Sequence, residues 1–147
     1  MAVTIKSNKS HYINQLVEDN SILNVGYFSD ENPKVNSRTG ETYTNYGKAV
    51  TNEFGTYIIP PRPFMHTTFN IYNRTFLPTI KKLIKSHKTK SEIYNILGSK
   101  IKEQIKLTIL LEDFAANSPT TILQKGSSHP LIDTKDMMDN PEIRITK

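Results

Sequence analysis

Near both ends of the sequence, apolar and polar positions alternate in twos, while between them apolar residues return every three or four positions. Val3-Thr4-Ile5-Lys6 alternates as a short strand does, and Ile143-Arg144-Ile145-Thr146 repeats the pattern. Tyr12, Ile13, Leu16 and Val17 recur at helical spacing up to the Asp19-Asn20 break. Residues 22–28, with Val25 and Phe28 around Gly26, read as a second strand able to pair with the first across that short helix. From 29 to 44 the chain is rich in Asn, Ser, Gly, Pro and Thr and loses its period, the pattern of a mobile loop or a hairpin arm.

Three helical segments follow. Residues 46–54 place Ala49, Val50 and Phe54 on one expected face and close at Gly55. Residues 64–86 carry Phe69, Tyr72, Phe76, Ile80, Leu83 and Ile84 at helical intervals, with Pro78 expected to kink or interrupt them. The strongest pattern covers about 91–113, where Thr89 and Glu92 have capping-box spacing. There Ile93, Ile96, Leu97, Ile101, Ile105, Thr108 and Leu111 form one stripe, opposite Lys100, Lys102, Glu103 and Lys106. Such a stripe is core rather than a ligand box. The expectation is an α+β fold: a small curved sheet, antiparallel or mixed, packed against two long helices, with a long flexible loop or arm at 29–44. One domain spans residues 1–147, and the last strand closes the sheet.

Two stretches break the periodic pattern with glycine and proline. In the first, Asn52-Glu53-Phe54-Gly55-Thr56 leads to Pro60-Pro61-Arg62-Pro63-Phe64. Gly55 can end a helix with a positive φ, Pro60 and Pro61 hold the chain extended, and Pro63 presets the entry to the next helix. Arg62 sits between prolines with a planar fork suited to Glu53 or to an acidic partner. In the second, Ser118 and Pro119 open a short helix at 120–124, Lys125-Gly126 ends it, and Pro130-Leu131-Ile132-Asp133-Thr134 follows. The Leu131-Ile132 pair is expected to anchor that loop in the core or on a neighbour.

Composition narrows what these corners can serve. At 147 residues with 36% apolar content and no Trp, the chain supports one domain with a lean core, which favours an oligomer that shares surface. No cysteine means no disulfide scaffold, thiolate metal site or cysteine nucleophile. Residues 1–9 lack an apolar signal core, and no stretch approaches the roughly 20 apolar residues that span a bilayer. The expectation is a soluble chain made in a cytoplasm, with the Asn73-Arg74-Thr75 sequon unused. Net charge is +5, and Lys81, Lys82, Lys85, Lys88 and Lys90 crowd together with His87. That run is a solvated helix face on the simpler reading and a nucleic-acid patch on the other, although no aromatics interleave the lysines.

Reactive constellations are weak. Ser127, Ser128, His129 and Asp133 are the residue types of a hydrolase triad, but they share one loop and no nucleophile elbow precedes the serines. Asp133, Asp136 and Asp139 lack the loop and central glycine of a calcium hand. His11, His66, His87 and His129 show no zinc spacing, and six scattered glycines make no phosphate cradle. No catalytic residue, metal or cofactor is expected. Arg62 and Lys125 alone stand where a charge could be held for a partner, or in an internal salt bridge.

The two signatures, in this order, resemble those of tail-completion and head-to-tail joining (neck) proteins of long-tailed phages. Asn52 to Thr56 with Ile59 to Met65 resembles the first hallmark. The segment Asn117 to Ile122, through Lys125-Gly126 to Thr134, is similar to the C-terminal hallmark of the Mu-like virion morphogenesis and tail-terminator group. Val25-Gly26-Tyr27-Phe28 also matches the family's Val-Gly-aromatic strand, while residues 32–41 fall in a variable loop. The chain departs from the pattern after Asp133-Thr134, where Lys135 stands in place of a glycine and Pro141 precedes the last strand.

The resemblance implies a virion structural protein at the head–tail junction or tail top, forming a ring with itself, a hexamer first. It also implies contacts with the tail tube protein and head-completion or connector proteins, no membrane, and DNA only in transient passage through the ring. In that setting Glu53, Phe54, Gly55, Pro61, Arg62, Pro63 and Phe64 hold one corner. Lys125, Gly126, Pro130, Leu131, Ile132 and Asp133 hold the other. The rival readings are a nucleic-acid-binding module using residues 81–90 and a hydrolase centred on His129 and Asp133.

Overall fold

A computed structural model describes residues 8–133 and 135–147, with side chains from residue 11 onward. In chain order the elements are α1 (Asn8–Glu18), β1 (Ile22–Gly26), β2 (Lys34–Val35), β3 (Thr42–Tyr43), α2 (Asn45–Phe54), α3 (Phe64–Lys85), α4 (Lys90–Leu111), α5 (Pro119–Lys125), α6 (Asp136–Asp139) and β4 (Glu142–Thr146). The fold is α+β. The strand expected at residues 3–6, and with it the pairing to 22–28, lies outside the described residues.

The long helices α3 and α4 pack on each other, and β1 and β4 lie against α4. The capping box is complete: Glu92 N–H reaches the Thr89 hydroxyl, and Glu92 Oε2 accepts the Thr89 N–H at 2.8 Å. That fixes the start of α4 and the tight turn from α3. β1 and β4 pair antiparallel, Val25 opposite Ile143 and Leu23 opposite Ile145. The close fit of strand to helix depends on Gly98, where a Cβ would come within 2.9 Å of Ile143 Cγ2.

The core gathers Phe64, Ile105, Ile109, Ala49, Leu131, Met137 and Met138, with Val25, Tyr27, Ile101, Phe114 and Ile132 packed around it. Burying Phe64, Ile105 or Ile109 is worth about 2 kcal/mol each. Tyr27 meets Phe64 edge to face, ring centres 6.1 Å apart, and its hydroxyl donates to Met137 O. So β1, the start of α3 and α6 meet at one point.

Three expectations change. Of the kink or interruption expected at Pro78, the interruption does not occur: α3 continues past it, the residue is exposed, and only the Arg74 carbonyl loses its helical donor there. Nearby hydroxyls support the turn, Thr75 donating to Tyr72 O at 3.1 Å. On α2 the buried residues are Asn45 and Ala49, whereas Phe54 is 76% exposed. At about 100° per residue Phe54 points roughly 140° away from Ala49, outside one face. By the same geometry the α4 stripe ends on Thr108 and Ile109 rather than on Leu111, which is exposed.

Of the two forms expected for 29–44, the hairpin is observed: β2 and β3 pair, with Asn36 N–H to Glu41 O at 2.8 Å. Glu31, at its base, accepts the Asn45 and Tyr46 N–H groups at 2.7 and 3.2 Å and joins Thr44 in capping α2.

Candidate functional site

The first signature folds into a corner whose parts fasten one another. Gly55 ends α2 with φ 72° and ψ −178°, a region almost confined to glycine. A Cβ there would lie 2.8 Å from both Ile59 O and Pro61 N. Thr56 N–H donates to Ile59 O at 2.8 Å while the Thr56 hydroxyl accepts the Ile59 N–H at 3.0 Å, closing a turn over residues 56–59. Pro61 and Pro63 are exposed, and Pro63 is the N-cap of α3. Phe64 is fully buried.

Glu53 does not pair with Arg62. Its carboxylate accepts Met65 N–H at 2.8 Å and His66 N–H at 3.0 Å, where a negative charge complements the positive end of α3. Arg62, only 5% exposed, turns the other way. Its Nε donates to Ala115 O at 2.7 Å, and Nη2 donates to Ala116 O and Asn117 Oδ1 at 3.1 Å each. Nη1 donates to Asn52 Oδ1, also at 3.1 Å. Neither an internal salt bridge nor a free charge describes this side chain, since its fork is filled by neutral oxygens from both signatures. Burial lowers its pKa.

The second signature closes on the same place. Ser118 caps α5, and Gly126 ends it in the left-handed conformation. Lys125 Nζ donates to His129 O at 3.2 Å and Pro130 O at 3.4 Å, and Asn117 Nδ2 donates to His129 O at 3.1 Å. Leu131 enters the core, with Ile132 packed against it. Asp133 pairs with Arg38 at the hairpin tip, and Arg38 Nη1 also donates to Gln124 O at 3.0 Å.

Between the signatures lies an open cleft of about 270 Å³, lined by Lys48, Asn52, Ile58, Arg62, Thr121, Lys125, Pro130, Leu131, Asp133, Lys135, Asp136 and Met137 among others. Lys48 Nζ stands 3.5 Å from the centre of the Tyr43 ring. Burial pushes the Lys48 and Lys125 ammonium pKa values down, the neighbouring cations push the same way, and Asp133 opposes them. Of the thirteen residues singled out at the two corners, Arg62, Lys125, Pro130, Leu131 and Asp133 line the cleft. Gly55 and Gly126 end the flanking helices, Glu53 caps α3, and Phe64 and Ile132 pack in or against the core. Lys48 and Arg38 carry no local sequence signal and join the site only through tertiary packing.

The remaining reactive residues do not converge. His129 Nε2 faces Leu110 O at 3.2 Å, and the Ser127 hydroxyl accepts the His129 N–H rather than a ring proton. Asp133, Asp136 and Asp139 are engaged separately by Arg38, Tyr43 and Lys106. Among the described residues no group of three His, Asp or Glu could hold a metal ion. In the basic run Lys81, Lys82 and Lys85 are exposed, Lys88 pairs with Glu92 at 3.3 Å, and Lys90 donates to Asp19 O. No helix among the described residues is long and apolar enough to cross a membrane. No known protein family, characterised protein or solved structure matches this chain.

Proposed function

We propose that this chain is a structural virion subunit of a tailed phage that completes or terminates the tail tube and joins it to the head as an oligomeric ring. It works by shape and contact, without catalysis. The observation that carries this reading is the 56–59 turn, which presents Tyr57 fully exposed and Ile58 82% exposed, with Phe54 beside it. Internal hydrogen bonds hold the turn before any partner arrives, so little ordering entropy is lost when these side chains are covered. Large apolar side chains on a fixed support are the usual core of a protein interface. The two signatures that resemble neck proteins supply the virion setting, and the interlock of those signatures through Arg62 supports reading them as one unit.

The nucleic-acid reading is weaker, because two of its five lysines are engaged within the chain. Light scattering after size exclusion, at several concentrations and two salt levels, tests the proposal. A ring is expected, with Tyr57→Ser/Ile58→Ser shifting it to monomer while the circular dichroism spectrum stays unchanged. A wild-type monomer that also ignores purified tail tubes would overturn the reading, and steep salt-dependent DNA binding would favour the rival.

A further inference from the structure

Four cations line the cleft between the signatures, Lys48, Arg62, Lys125 and Lys135, against two carboxylates, Asp133 and Asp136. Both carboxylates are engaged, by Arg38 and by Tyr43. Arg62 is sealed by neutral oxygens, so its charge is buried without a counter-charge among the described residues. Lys125 is tied to two carbonyls, and Lys48 is held against a ring. The cleft thus holds an excess of half-buried positive charge that its own residues do not neutralise. An anion there would replace cation–cation repulsion with charge-assisted hydrogen bonds.

We propose that the cleft takes a single carboxylate, an Asp or Glu side chain of a protein partner, between the ammonium groups of Lys48 and Lys125, with Ile58 and its neighbour Tyr57 covering the apolar residues beside it. Three features favour an acidic side chain over a nucleotide or a nucleic acid. About 270 Å³ is small for a nucleotide but ample for one side chain. Asp133 and Asp136 would repel a polyanion more than one carboxylate. The walls alternate charge with Ile58, Pro130, Leu131 and Met137, which suits a protein segment and offers no stacking platform for a base. The arrangement, a desolvated charge pocket next to exposed apolar residues, is that of an interface hot spot. The inference rests on the reading that the chain works through protein contacts, and needs neither a ring nor a particular virion layer.

The test follows the lysine methylene resonances of ¹³C-lysine-labelled protein while N-acetyl-glutamate methylamide is added at constant ionic strength. N-acetyl-glutamine methylamide, sodium phosphate and an oligothymidylate are added in parallel. Saturable shifts at Lys48 and Lys125 are expected, with an apparent dissociation constant about tenfold lower for the Glu compound than for its Gln twin. Lys48→Gln should remove the effect with an unchanged circular dichroism spectrum, and Lys125→Gln gives a second reading should the first variant unfold. A ring-forming chain without these shifts would overturn the inference and leave the proposed function standing, whereas a monomer that ignores purified tail tubes yet gives them would do the reverse. Equal response to the Gln compound would overturn the inference, as would phosphate or oligothymidylate saturating the same lysines at lower concentration.

Discussion

Arg62 Nη2 donates to Asn117 Oδ1 at 3.1 Å, and Asn117 in turn donates through Nδ2 to His129 O at 3.1 Å. One buried guanidinium and one buried amide therefore bind three stretches of chain, the corner before α3, the segment after α4 and the loop after α5. The two signatures, 55 positions apart at this contact, fold as a single object.

Arg62→Lys keeps the charge but has one ammonium for acceptors arranged around a planar fork. With three N–H donors for four acceptors, at least one of the oxygens from Asn52, Ala115, Ala116 and Asn117 would lose its donor. The expected loss is about 2–3 kcal/mol, read as a lower urea midpoint with an unchanged slope. A loss under about 0.5 kcal/mol would mean that the fork is not what joins the signatures.

Gly55→Ala should lower the thermal midpoint by the equivalent of about 3 kcal/mol. The new Cβ would meet two backbone atoms at 2.8 Å, in a conformation that side chains rarely adopt. Gly40→Ala makes the useful comparison, since its φ is also 72° but nothing lies within 4 Å of the added carbon. It should cost markedly less.

Lys135 has φ 64° and ψ −2°, the left-handed region. The neck-protein resemblance leads one to expect a glycine at this position, and the conformation Lys135 adopts is one that glycine takes without cost. Lys135→Gly should relieve about 1 kcal/mol of strain, offset in part by the greater freedom of glycine in the unfolded chain. The net expectation is a gain of about 0.5 kcal/mol, measured by chemical denaturation. A loss would show that the lysine side chain contributes more than its backbone costs.

The Tyr27 phenol, buried and close to Glu31, is held well above the usual tyrosine range. Below about pH 10 both the folded and unfolded forms keep the proton, and its contribution is intact. Above that the unfolded phenol ionises first, so stability falls as pH rises. Tyr27→Phe, lacking the hydrogen bond to Met137 O, should be about 1 kcal/mol less stable near pH 8, with the gap closing above about pH 10. Urea melts of both proteins across that range would reveal a gap that stays constant if burial does not hold the proton.

What could be read in the sequence was what neighbouring residues decide. Thr89 and Glu92 carry their capping box in their spacing, and Ser118-Pro119 and Gly126 bracket α5 for the same reason. Gly55 marks its corner because few other residues tolerate that backbone. The stripe of α4 was legible through Thr108, but its last buried residue is Ile109 rather than Leu111, where the core with Phe64, Leu131 and Met138 is met. Partners were harder. Glu53 and Arg62 are close in sequence and opposite in charge, yet the end of α3 takes the carboxylate and a distant segment takes the guanidinium. Arg38 and Lys48 reach the cleft by tertiary packing, and no period or motif announces that.

The pairing of β1 with β4 joins Asn24 to Thr146 across 122 positions of chain. A growing chain exposes the edge of β1 until nearly everything described here has been made, including both signatures and the cleft between them. Local helices can form early, but the sheet that backs α4 is among the last features to close. Any partner that recognises the finished surface of α4 and its sheet would therefore meet it only on chains that have been made through β4.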